Sequence, residues 1–243
     1  MLWIPTIEDI LLSTPYKPIF LLADSQLLFS RKDEPFFCSL LDSLKEARAN
    51  GILKGAYIGA SNGDNPDFYQ IFVEACRIID IDDYRMIPSE PSEEDYEYLD
   101  EAALILLAGG DIKKGWDIFV KNGLNKKIID RYNGSATLIG VSAGAVQLAK
   151  TGWRESEENS YKLFSTFQLV PFIIDVHDEP LWERLHKIVL KEGEYVKGLG
   201  ISKGGGAIFH PDGSIEAIRH PLTELSVSND TVSESLIFPS DSK

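Results

Sequence analysis

Short apolar runs alternate with amphipathic stretches from residue 17 to about residue 150, and this alternation constrains the chain more than any other feature. "KPIFLLAD" (17–24), "LKGAYIGAS" (53–61), "YRMIP" (84–88), "ALILLAGG" (103–110) and "ATLIGVS" (136–142) each read as a strand. Runs this short with so few polar breaks suit strands buried on both faces. Between them, residues 34–51, 65–81, 92–102 and 116–124 carry helical periodicity, and "AGAVQLAK" (143–150) opens another helix. Pro66 suits a first helical turn, and Ser92 followed by acidic residues is a helix-start signature. Strand–helix repetition at this spacing predicts an α/β fold, a three-layer sandwich with a mostly parallel central sheet.

Beyond residue 160 the pattern changes. "FQLVPFIIDVH" (167–177) is extended and apolar, residues 180–193 are helical, and "GGAIFHPDGSIEAIR" (205–219) is a C-terminal β-hairpin turning at Pro-Asp-Gly. The last ~15 residues, rich in Ser, Asp and Glu, read as a loose tail. No linker or repeat divides the 243 residues, so one domain spanning 1–243 is expected. With 38 acidic against 24 basic side chains, the net charge of −14 argues against nucleic acid or an anionic membrane as partner. The N-terminus has no basic leader region and is broken by prolines, and no apolar run reaches the ~20 residues of a membrane span, so a cytoplasmic location is expected; a monomer or homodimer is expected as well. Cys38 and Cys76, each in an apolar helical stretch, read as reduced core thiols.

The strand at 136–142 ends in "GVSAGA", a G-x-S-x-G pattern between strand and helix. A sharp strand-to-helix turn strains the backbone, small neighbours leave the Ser142 hydroxyl exposed, and the Ala143 amide lies at a helix N-terminus where an oxyanion can form. The bland alternative is a helix packed tightly on the sheet with Ser142 as its cap. A serine nucleophile needs a base. Of four histidines, His177 follows a rigid apolar run toward the strand ends where α/β sheets bind ligands. His186 falls within a helix, His210 precedes the hairpin turn, and His220 lies near the tail. Glu155, Glu157 and Glu158, between serine and histidine, are three candidates for the orienting carboxylate. Gly109 and Gly110, closing a neighbouring strand, can bring backbone amides close to a substrate.

"YIGAS", "LLAGGD", "GVSAGA" and "DVHDEP", in this order over about residues 17–210, resemble the dipeptidase E and cyanophycinase family of serine peptidases. The resemblance implies a class I glutamine amidotransferase-like (flavodoxin-like) fold and no cofactor or metal. It implies Ser142 as nucleophile, His177 as base, Glu157 as acid, and the Gly110 and Ala143 amides as the oxyanion hole. Gly109 and Asp111 fall at substrate-contacting positions, and Asp111, where the family has asparagine or glycine, is placed to meet a substrate amine. The substrate would be a small peptide or related amide. "HDEPLWERLHK" departs from dipeptidase E: Leu181 falls where that enzyme's specificity arginine stands, Arg184 matches a structural arginine, and Asp178 and Glu179 follow the histidine. Strict cleavage of Asp-X dipeptides is therefore not expected. Two other readings use the same serine: a non-catalytic amidotransferase-like binding protein, and an α/β-hydrolase esterase whose base is His210 or His220.

Overall fold

The computed structural model describes residues 16–51, 53–156 and 160–240. Strands β1 (Ile19–Leu22), β2 (Lys54–Ile58), β3 (Asp83–Ile87), β4 (Leu104–Leu107) and β5 (Thr137–Val141) run parallel in the order β1-β5-β4-β2-β3. The expected hairpin, β10 (Gly206–Phe209) and β11 (Ile215–Ile218), adds two antiparallel strands beside β1, so the central sheet has seven strands.

Side-chain alternation explains why these runs are apolar throughout. Ile19 and Leu21 enter one core and Phe20 and Leu22 the other; in β4, Ile105 and Leu107 face opposite to Leu104 and Leu106. Helices α1 (Pro35–Ala49) and α2 (Pro66–Ile78) cover one face through Phe36, Leu40, Phe72 and Cys76. On the other face lie α3 (Glu93–Glu101), α4 (Ile112–Asn122), α5 (Leu124–Asn133) and α6 (Ala143–Leu148), contributing Leu99, Phe119, Ile128 and Val146. Ser92 caps α3 in a capping box with Asp95. The result is a three-layer α/β sandwich.

Several expectations need correction. The run at 167–177 does not join the central sheet. It forms β8 (Phe172–Val176) in a second sheet ordered β13-β12-β9-β8, with β9 (Lys197–Ile201), β12 (Leu222–Ser228) and β13 (Thr231–Ile237). Within the acidic tail, residues Thr231–Ile237 are thus strand. Asn229 and Asp230, at φ 48° and 57°, make the tight turn that folds β13 back onto β12, a conformation these two residue types tolerate. Helix α7 (Glu183–Glu192) packs on this sheet, and its Leu185, Ile188 and Val189 join the same apolar cluster as Ile19 and Leu138 of the central sheet. A separate hairpin, β6 (Thr151–Ser156) with β7 (Ser160–Ser165), follows α6. Cys38 is exposed, because α1 turns the spacing 36, 37, 40 and 44 inward and leaves position 38 outside; only Cys76 is a core thiol. Among the described residues, no helix is long and apolar enough to cross a membrane. Residues 1–15, read above for a leader, lie outside the described residues.

Candidate active site

The ends of β1, β5, β4 and β2 are level, since Leu22 pairs with Val141, Gly140 with Leu107, and Leu107 with Ile58. The loops leaving these four strands therefore meet at one edge, where open α/β sheets bind ligands. Ser142 begins the β5–α6 turn at φ 52° and ψ −111°, a conformation costly for any residue with a Cβ. Its amide donates to the Leu22 carbonyl at 2.8 Å, which fixes the turn against β1.

The small residues around it are required by contact. A Cβ on Gly144 would overlap the Leu107 carbonyl oxygen of β4, so α6 can cross the sheet this closely only with glycine there. Gly144→Ala is expected to lower stability by about 1–3 kcal/mol, as overpacked sites do; a urea melt with an unchanged midpoint would contradict that packing.

Gly109 faces Ser142 directly: a Cβ built on it would lie 3.2 Å from the serine Cβ. Gly110 has φ 140°, and a Cβ there would overlap the Ser61 carbonyl oxygen. The loop after β2 clamps this stretch. Asp111 N–H donates to the Ser61 carbonyl at 2.8 Å, and Asn62 Nδ2 donates to the Gly109 carbonyl at 3.1 Å. Because the peptide is planar and trans, a Gly109 carbonyl held by Asn62 turns the Gly110 N–H the opposite way. Among the described residues, neither the Gly110 nor the Ala143 N–H has a hydrogen-bond partner. Fully buried Gln147 of α6 completes the brace, donating to Ser61 Oγ at 3.0 Å and to the Ile112 carbonyl at 2.9 Å. Sequence reasoning missed Asn62 and Gln147; a glutamine in the otherwise apolar "AGAVQLA" was the available signal.

A cavity of about 240 Å³ opens beside Ser142, lined by Gly109, Gly110, Asp24, Ser25 and His177 among others. The structure thus brings Ser142 and His177 to one cavity, although they come from different sheets; among the described residues no hydrogen bond joins them. His177 is exposed, at φ 63°, directly after β8. A buried ion pair anchors its base. Asp175, fully buried, accepts from Arg184 Nε at 2.9 Å and also from Arg184 Nη2, which donates in addition to the Val176 carbonyl at 3.2 Å. Burial outweighs that pairing and raises the Asp175 carboxyl to about 6. Asp178 accepts from the Arg184 N–H at 2.9 Å and Glu179 from the Lys203 N–H at 3.0 Å, so both carboxylates after the histidine are used by the backbone. Leu181 is 66% exposed.

Asp111 caps α4, its Oδ1 accepting from the Lys114 N–H at 2.8 Å, and the helix starts at Ile112, ahead of the stretch read from residue 116. Asp111 borders a second cleft, shared with Gly110, Lys113, Arg154 and Glu155, and does not line the Ser142 cavity. Glu157 and Glu158 lie outside the described residues. Neither His210, which meets Glu216 at 3.2 Å, nor His220 lines the Ser142 cavity.

Residues 28–218, which include Ser142 and His177, match the family described as Peptidase family S51. The chain belongs to peptidase family S51. The crystal structure of a peptidase from an acI-B1 Actinobacterium is similar at a TM-score of 0.69 and 16% identity, covering 93% of this chain and 96% of that one. A protein from Listeria monocytogenes EGD-e described as a peptidase E is similar at 0.59 and 17% identity, covering 84% and 98%. At such identities the likeness is one of fold. A search of curated proteins found no match. For this S51 chain, the family match supports a peptidase.

Proposed function

We propose that this chain is a serine hydrolase that cleaves a small peptide or related amide through an acyl-enzyme on Ser142. The observation that carries the reading is the Ser142 backbone, held at φ 52° at a helix N-terminus and opening on a cavity that His177 also lines. Ser142 Oγ attacks the substrate carbonyl while His177 takes its proton. The developing oxyanion is met by the Gly110 and Ala143 N–H groups. His177 then returns the proton to the leaving amine, and a water activated by the same imidazole hydrolyses the ester and frees Ser142. Glu157, the carboxylate selected by family resemblance, is proposed to orient the imidazole. A cytoplasmic location belongs to the same proposal.

A fluorophosphonate probe tests the reading. Mass spectrometry is expected to find one adduct, on Ser142. His177→Ala should abolish both labelling and amide hydrolysis, whereas His210→Ala and His220→Ala should retain them. An unlabelled wild type would remove the serine hydrolase reading and leave the binding-protein alternative. Loss in His210→Ala or His220→Ala alone would transfer the base to that residue.

A further inference from the structure

The cavity beside Ser142 differs in chemistry from the polar site around it. Its wall is built from Leu28, Tyr57, Phe68, Ile71, Phe72 and Leu106, which come from the loop after β1, from β2, from α2 and from β4. Among the described residues no lysine or arginine lines it, and the one carboxylate that does is Asp24. The Asp24 carboxylate already accepts from the Gln26 N–H at 2.9 Å and from the Gly204 N–H at 2.8 Å, so it is fixed in place as a negative charge at the cavity wall. At about 240 Å³ the space is below the roughly 300–1,000 Å³ of sites for drug-sized molecules, and suits a single side chain. Phe68, 50% exposed, stands on α2 with one side toward solvent.

We infer that this cavity receives the side chain of the residue whose carbonyl is attacked, and that it selects a large apolar side chain of the leucine or phenylalanine type. The inference rests on the serine peptidase reading above and specifies its substrate class. An apolar side chain entering here leaves water for an apolar wall, a gain that grows with its area. An acidic side chain meets no lysine or arginine among the described residues, loses its hydration and faces Asp24. Selection by an apolar wall is graded, about 10–200-fold for a single methylene, and an unpaired charge is rejected more strongly.

Steady-state kinetics of the full chain on Leu-, Phe-, Ala- and Asp-p-nitroanilide tests it. Leucine and phenylalanine are expected to exceed alanine at least about tenfold in kcat/KM, and aspartate by about a hundredfold or more. Phe68→Ala, at a half-exposed position the fold tolerates, should narrow the preference for phenylalanine over alanine. Ile71→Arg should shift the aspartate-to-leucine ratio toward aspartate by at least tenfold, with thermal unfolding reporting that the variant is folded. If Asp-p-nitroanilide equals or exceeds the apolar substrates, the inference is overturned while the peptidase reading stands. If no substrate turns over and the fluorophosphonate leaves Ser142 unlabelled, both fall. Should Ile71→Arg fail to fold, the wild-type panel and Phe68→Ala decide.

Discussion

Ser142→Ala is expected to lower kcat/KM by roughly 10⁴- to 10⁶-fold, the loss seen when a nucleophile that acts in concert with its base is removed. The more informative comparison is with Ser142→Gly. Both variants lack the hydroxyl, so both should be inactive. They differ at the backbone: φ 52° with ψ −111° strains alanine as it strains serine, but glycine adopts it freely. Strain of this kind costs about 1–3 kcal/mol, and the extra freedom glycine gives the unfolded chain offsets about 0.4–1 kcal/mol of the relief. Ser142→Gly should therefore be more stable than Ser142→Ala by about 1 kcal/mol in urea unfolding. Equal stabilities would mean that the turn imposes no strain, and the elbow would lose its physical basis.

Arg184→Ala should destabilise the fold by about 3–5 kcal/mol at neutral pH, because it strands the buried Asp175 carboxylate. The loss is expected to depend on pH in a defined sense. The Asp175 carboxyl sits at about 6 in the native protein, above its unfolded value of about 3.9, so the native state holds this proton more tightly. Stability from this group is complete below pH 4 and is lost as pH rises through 6. Without the guanidinium, which draws the carboxyl downward, it moves higher still and the loss continues to higher pH. The gap between variant and wild type should thus be smallest in acid and widen above about pH 6. A gap independent of pH would show that Arg184 acts by packing alone, through its position 5.6 Å from the Trp153 ring. Activity should fall too, since Arg184 also holds the Val176 carbonyl directly before His177.

The central sheet was legible because β1, β4 and β5 are buried on both faces, and their short, largely apolar runs, closed by small or polar residues, have the length of strands rather than helices. The second sheet was not. β9 reads "KGLGI", whose glycines weaken a strand signal, and β12 with β13 alternate serine and glutamate with aliphatic residues like any polar tail. Helix α5 was hidden because a single residue, Gly123, separates it from α4. In the site, Ser142 and His177 stood out by position at the ends of apolar runs. Asn62 and Gln147 did not, since their partners lie 47 and 86 residues away in sequence and only the assembled fold brings them together.

The hydroxyl and the imidazole are carried by different sheets, and the separation between them is not written into either ladder of hydrogen bonds. It is set by the apolar seam where Ile173, Ile174 and Leu199 share a cluster with Leu21, Ile105 and Leu138. Such a seam is close-packed and transmits small changes of volume as displacement. If Ser142 and His177 act as proposed, turnover is accordingly adjustable from a distance: substitutions deep between the layers would widen or narrow the reactive gap while every residue around it stays the same.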